Sequence, residues 1–380
     1  MIPCQRHLFD IPESITYFNC GYMSPQLKSV RTAGYYGVDR KSSPWEMTPT
    51  DFFTLPDQAR SLFGQMVNAD ASSIAIIPSA SYGLAIAAKN IAVSAGQKIL
   101  VLQDQFPSNV YCWNELSART GAEVVTIKTP ADFDWTTAVL AAIDDDTAIA
   151  ALGHIHWTDG SLLDLEAIGD KLRAHGAKLV LDITQSIGAL PFDVAKIQPD
   201  FMIAATYKWM LGPYSLGFMY VAPEHHSGEP LEYNWLNRGG SENFSGLVDY
   251  RNDYQEGALR FDMGERANFS LMPMAIAALE QLLEWGVTNI QETLSLRTRA
   301  IAERCSELGM QAIPEPLRAG HFLGLRHRDG LPANLLETLV AENIYISVRG
   351  ASLRITPHLF NTDQDADRLV LALSDALKRR

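Results

Sequence analysis

The chain has 380 residues, a mass of 42.0 kDa and a formal net charge of −13. With 47% hydrophobic and 20% charged residues it has the composition of ordinary globular domains, which excludes a disordered, collagen-like or coiled-coil chain. The length predicts two or three domains, and the acidity argues against a nucleic-acid partner, whose phosphates need basic surface.

Cysteines Cys4, Cys20, Cys112 and Cys305 stand far apart with no C-x-x-C pair. Neither a zinc ribbon nor a thioredoxin-type site is expected, and reduced thiols in a cytoplasmic protein fit this usage. The first residues, Met1 to His7, contain no apolar signal core. No run of about 18 uncharged apolar residues occurs, so no membrane span is predicted.

The first 70 residues read as irregular, with turn signals at Gly21, Pro25, Pro44, Pro49 and Pro56. A rhythm then begins. Short apolar runs occur at 73–77, 99–102, 124–127, 147–152, 178–181, 201–205 and 217–221. Helix-like stretches separate most of them, at 82–93, 111–120, 135–143 and 164–174. Runs that are apolar throughout fit strands buried on both faces, and their alternation with helices predicts a mostly parallel sheet covered on each side. After residue 222 the rhythm breaks. Residues 223–265 look like loops, followed by helices at 274–286 and 291–308, a few strands, and a last helix at 363–377. This reads as a smaller α+β domain.

In such sheets ligands bind beyond the carboxyl ends of the strands. The residues there are Pro78 to Gly83, Phe106 to Asn109, His154 with His156, Asp182 to Gln185, and Thr206 to Trp209. A lysine, an acid, a small hydroxyl-rich helix start and an aromatic at one sheet edge match pyridoxal 5′-phosphate. That cofactor needs a lysine for its Schiff base, a carboxylate on its pyridinium nitrogen and a helix N-terminus for its phosphate.

Asp182-x-x-Gln185 followed by Ala-Thr-Tyr207-Lys208-Trp-Met-Leu-Gly-Pro resembles the class V aminotransferase family. Phe106-Pro-Ser-Asn109 resembles its kynureninase branch, and Leu353-Arg354-Ile-Thr-Pro-His-Leu-Phe-Asn361-Thr362 its C-terminal segment. The resemblance covers about residues 15 to 375. It implies a fold type I PLP-dependent transferase with a large PLP-binding domain at 15–260 and a small C-terminal domain at 261–380. Residues 1–14 are expected to pack on the small domain.

The resemblance also implies roles. Lys208 forms the Schiff base and Asp182 holds the pyridinium proton. Gln185 and His156 contact the phenolic oxygen or the Schiff-base region. Ser79, Ala80 and Ser81 hold the phosphate, with Asn109 and Tyr207 near it. Phe106 stacks on the ring, and Arg354 takes the substrate carboxylate, for which a planar fork is suited. A homodimer with active sites near the interface is implied as well.

One segment departs from the family pattern. Where a Gly-Thr pair usually reaches the phosphate of the other subunit, this chain has Gly264-Glu265-Arg266-Ala267-Asn268, and Glu265 is unsuited to a phosphate. Arg266, Asn268 and Arg238 are the alternatives for that contact.

The expected activity is transamination of an α-amino acid or derivative. A C–S or other β-lyase, a kynureninase-like hydrolase and an epimerase share the early steps and stay open. Desulfurase chemistry is disfavoured, because Ser347-Val-Arg-Gly-Ala-Ser-Leu-Arg354 holds no cysteine. Two further readings are a metal hydrolase using His154 and His156, and a non-catalytic cofactor-binding protein. No H-E-x-x-H motif supports the first, and Lys208, Asp182 and Arg354 together argue against the second.

Overall fold

The structure is a computed structural model that describes residues 1–378. The chain opens with a short strand β1 (Thr16–Tyr17) and two helices, α1 (Lys28–Lys41) and α2 (Thr54–Val67). The first 70 residues are therefore more regular than their turn signals suggested. The prolines lie outside α1, and Pro56 sits in the first turn of α2, where its missing N–H costs nothing.

Strands and helices then alternate: β2 (Ile74–Ile77), α3 (Ala80–Asn90), β3 (Lys98–Leu102), α4 (Ser108–Thr120), β4 (Glu123–Ile127), α5 (Trp135–Ala142), β5 (Thr147–Gly153) and α6 (Leu165–Ala174). They continue as β6 (Lys178–Asp182), α7 (Val194–Ile197), β7 (Phe201–Ala205) and β8 (Gly217–Val221). The seven strands β2 to β8 form one sheet in the order β2-β8-β7-β6-β5-β3-β4, all parallel except β8.

Successive side chains of a strand point to opposite faces, and both faces here are apolar. Met202 and Ala204 of β7 pack with α2 and α6, while Phe201 and Ile203 pack with α3 and α4. That is why these runs read as uninterrupted apolar stretches. The outer edge of β2 is closed by the segment after residue 257. The Ile76 amide donates to Asp262 at 2.7 Å, and the Ile76 carbonyl accepts from Met263 at 2.9 Å. Covering an edge this way removes a free row of backbone groups.

The chain continues through α8 (Leu271–Trp285) and α9 (Val287–Ser306), then β9 (Met310–Ala312), β10 (Leu323–His327), α10 (Leu335–Ala341), β11 (Ile344–Tyr345), β12 (Ser347–Arg349), β13 (Ser352–Ile355) and α11 (Asp363–Lys378). Strands β12-β13-β10-β9 make an antiparallel sheet, and β1 pairs with β11. Its core joins Ile301 and Cys305 of α9 to Leu325, Leu353, Leu369 and Leu373. Buried side chains of α8, with Ile290 and Leu294 of α9, instead belong to the core of the large sheet. The expected boundary at 260/261 would place α8 in the small domain, whereas its buried side chains belong to the core of the large sheet. The N-terminal segment lies on the C-terminal part, where the Gln5 amide donates to Leu359 and Arg6 pairs with Asp365 at 3.0 Å. Among the described residues no helix is long and apolar enough to cross a membrane.

Candidate active site

The carboxyl ends of β2, β3, β5, β6 and β7 share one edge of the sheet with the start of antiparallel β8. Beyond them lies a cavity of about 260 Å³, lined by Ser79, Ala80, Ser81, Phe106, Asn109, His156, Asp182, Gln185, Tyr207 and Lys208. These residues stand far apart in sequence, and the strand ends gather them. Trp157 and Tyr214 also line the cavity and escaped the sequence reading.

Lys208 sits on a tight loop between β7 and β8. The Thr206 hydroxyl donates to the Pro213 carbonyl at 2.6 Å, and the Gly212 amide closes back onto Thr206 at 3.0 Å. Leu211 (φ 57°) and Ser215 (φ 65°) adopt left-handed backbone, which costs roughly 1 kcal/mol or more each for such residues. The loop holds that strain to aim Lys208 at the cavity. The Lys208 side chain is buried and has no hydrogen bond or ion pair among the described residues, its ammonium lying 5.5 Å from the ring centres of both Phe106 and Tyr207. Burial pushes its pKa down to about 8; Asp182 opposes that shift, and Arg354 and Arg349 add to it. At neutral pH this raises the neutral, nucleophilic fraction by about 300-fold.

Asp182 ends β6. Its carboxylate accepts from the Thr184 amide at 3.0 Å. Burial raises its pKa above the ordinary carboxylate range, against the opposing pull of the Thr184 hydrogen bonds and Lys208. Gln185 lines the cavity, but its amide is engaged. Nε2 donates to the Gly21 carbonyl at 2.9 Å, and Oε1 accepts the Trp209 indole N–H at 3.2 Å.

Ser79 caps α3, accepting from the Tyr82 amide at 3.3 Å and lying 2.9 Å from the Ser81 hydroxyl. The amides of Ala80 and Ser81 precede the first intrahelical bond, which makes this an anion-binding end. Phe106 is 36% exposed and meets Trp157 edge-on at 5.4 Å. Asn109 is buried with its amide committed: it accepts from the Trp113 indole at 2.9 Å and donates to the Leu152 carbonyl.

The two histidines part ways. His156 faces the cavity, yet both ring nitrogens have protein partners. Nε2 lies 2.9 Å from the Gln103 carbonyl, so it carries the proton, and Nδ1 accepts from Thr158 at 2.6 Å. Its ring stacks on Trp135. His154 lies against Phe192, away from the Lys208 cavity, and burial lowers its pKa to about 3. They form no joint metal site; the only group of three potential ligands among the described residues is Asp200, Glu224 and His225.

Arg354 lies on β13. Nε donates to Ser347 Oγ and Nη1 to the Trp157 carbonyl, both at 2.9 Å. The residue is 1% exposed and has no acidic partner among the described residues, and burial lowers its pKa to about 10 with help from Arg349.

In the departing segment, Arg266 turns inward and pairs with Asp262 at 2.7 Å, in a buried cluster with Arg60. Asn268 precedes α8, its side-chain oxygen accepting from the Leu271 amide at 3.1 Å. Glu265 has left-handed backbone (φ 59°), and Arg238 lies over Tyr254. Arg266 is fully buried, its Nη1 bound to Asp262 while Nε and Nη2 have no partner among the described residues.

A buried amine without a hydrogen-bond partner among the described residues, a carboxylate facing the same cavity, a helix N-terminus and an arginine without an acidic partner fit pyridoxal 5′-phosphate. The comparisons agree. The model of the aminotransferase class-V family matches residues 46–362, and the chain belongs to that family. Its cofactor is pyridoxal 5′-phosphate. An uncharacterized aminotransferase of Bacillus subtilis, YcbU, is 26% identical over 81% of this chain and 80% of its own. The kynureninase of Shouchella clausii is 23% identical over 90% of this chain and 82% of its own. A solved structure of a mutant of C-DES, with glycine covalently linked to the cofactor, superposes with a TM-score of 0.88 at 18% identity. It covers 98% of this chain and 99% of that one. That last likeness defines the fold: type I, with a central, mostly parallel sheet.

Proposed function

We propose that this chain is an aminotransferase acting on an α-amino acid. The observation that carries the proposal is Lys208: a buried amine with a lowered pKa, facing the same cavity as Asp182 and near enough to Arg354 to feel its charge. The aminotransferase name of a relative similar over four-fifths of the chain supports it.

The cofactor supplies an aldehyde that links to amines and a ring that withdraws electrons from the substrate α-carbon. The residues of this chain do the rest. With the cofactor bound, Lys208 Nζ would hold it and would be the base that takes up and gives back the substrate α-proton. Asp182 would hold the proton of the ring nitrogen. Ser79, Ala80 and Ser81 would hold the phosphate, with Tyr207 beside Lys208, and Phe106 would lie against the ring. Arg354 grips the α-carboxylate and sets which α-bond faces Lys208.

Asn109, Gln185 and His156 act as support for these groups, since their polar atoms are committed to the protein. A β-lyase uses the same residues up to proton removal and then expels a side-chain group. The cavity lining contains no cysteine, which speaks against a cysteine nucleophile. The assembly in this reading is a homodimer.

The test is a product screen with single amino acids. Keto acid together with pyridoxamine phosphate supports the aminotransferase, and keto acid with ammonia or sulfide replaces it with the lyase. Arg354→Ala should raise the apparent Kd for amino acids about 100-fold or more while leaving the cofactor absorbance in place. Loss of the cofactor instead would misplace Arg354.

A further inference from the structure

Strands β12 and β13 form a hairpin in which Ser347 pairs with Arg354 and Arg349 with Ser352. Residues paired across antiparallel strands point to the same face, as do residues two apart along one strand. Arg349, Ser347, Ser352 and Arg354 therefore share one face. Ser347 is used up by Arg354 Nε. Ser352 is 1% exposed, and its Oγ has no partner.

Arg349 is half-buried and has no acidic partner among the described residues. Its hydrogen bond goes only to the carbonyl of Val348, at 2.8 Å. Its guanidinium lies 5.8 Å from the centre of the Trp157 ring, and that of Arg354 lies 5.7 Å from the same ring. Trp157 lines the cavity that holds Lys208. Arg349 pulls down the proton affinity of both Lys208 and Arg354, so its charge is felt at the reacting amine. Two arginines around one indole, next to a lysine and with no carboxylate between them, repel one another. A surface arginine serving only solubility would avoid that arrangement. One α-carboxylate neutralises Arg354 and leaves Arg349 over.

We propose that Arg349 binds a second anionic group of the substrate, so that the enzyme selects amino acids with an acidic side chain. The inference rests on the reading of Arg354 as the α-carboxylate site. Arg354 anchors the end common to all amino acids, and Arg349, on the neighbouring strand, selects the other end. The planar fork suits a carboxylate, and the unpartnered Ser352 hydroxyl lies on the same face.

The experiment compares kcat/KM for L-aspartate and L-glutamate with that for L-asparagine and L-glutamine, in the native holoenzyme, Arg349→Ala and Arg349→Glu. Calorimetric Kd values for succinate and butyrate give a readout independent of turnover. The native enzyme should prefer the acidic member of at least one pair. Arg349→Ala should lower that preference by about 10- to 100-fold, mainly through KM, and weaken succinate more than butyrate. Arg349→Glu should invert it, and Arg349→Lys should restore part of it. An unchanged preference ratio in Arg349→Ala, or a native enzyme that prefers the amides, overturns the inference and leaves the Arg354 reading standing. A native enzyme whose cofactor spectrum responds to no amino acid overturns both.

Discussion

The side-chain oxygen of Gln185 accepts the indole N–H of Trp209 at 3.2 Å, one residue beyond Lys208. Its nitrogen meanwhile holds the Gly21 carbonyl, and its own carbonyl lies 2.8 Å from His321 Nε2. Gln185 thus ties three parts of the chain together behind the reactive lysine: the N-terminal segment, the Lys208 loop and the stretch leading into β10.

That relationship predicts the outcome of Gln185→Leu. The change leaves the Trp209 indole and the Gly21 carbonyl buried without partners, a loss of about 1–3 kcal/mol. Denaturant unfolding of the cofactor-free protein should show that loss, with the slope unchanged. A Gln185 that only touched the cofactor would leave the stability of the cofactor-free protein unaltered.

A second prediction concerns pH. The folded pKa of Lys208 is lowered to about 8 from 10.5. Below pH 8 the amine is protonated in both folded and unfolded chains, and the fold carries the full cost of burying the charge. Between pH 8 and 10.5 the unfolded chain binds the extra proton, so this group's penalty fades as pH rises. Lys208→Met should therefore stabilise the cofactor-free protein at pH 7 by up to about 3 kcal/mol. The gain should shrink above pH 8 and vanish near pH 10.5, as read from Tm against pH. A gain that does not depend on pH would mean that packing, not charge, sets it.

The histidines behind the site predict acid sensitivity. His154, His321 and His358 are buried, and burial lowers their pKa values to about 3, 4 and 3. Neither ring nitrogen of His358 has a partner. Below pH 6.5 the unfolded chain takes up protons that the folded chain refuses, so stability falls with pH. The slope approaches roughly 1.4 kcal/mol per pH unit for each histidine. His358→Leu should remove up to one such share between pH 6.5 and 5, measured by urea unfolding. An unchanged slope would show that His358 takes up its proton in the fold.

Much of the sheet is legible in the sequence, because β2, β5, β7 and β8 are buried on both faces and so are apolar throughout. The direction of β8 is not, since an apolar run reads alike in either orientation. Helix α8 leaves a clear period but not its allegiance to the large sheet, because an amphipathic face does not say which partner it meets. The placement of Lys208 and Asp182 on one cavity is legible through motif and strand-end position.

The commitment of Gln185, Asn109 and His156 to protein partners is not legible, since a polar residue in a cavity and one tied behind it are the same letter. Arg349 could have been found: Gly350-Ala351 between two apolar-flanked arginines signals a hairpin that puts both on one face. Trp157 left no comparable signal.

The central claim is that Lys208 carries the cofactor. Its most direct measurement is borohydride reduction of the purified holoprotein, followed by peptide mass mapping. The visible absorbance should disappear, and a pyridoxyl-phosphate mass should sit on Lys208 alone. Lys208→Ala should show neither the band nor the adduct. A label on another lysine, or a normal band in Lys208→Ala, would contradict the account.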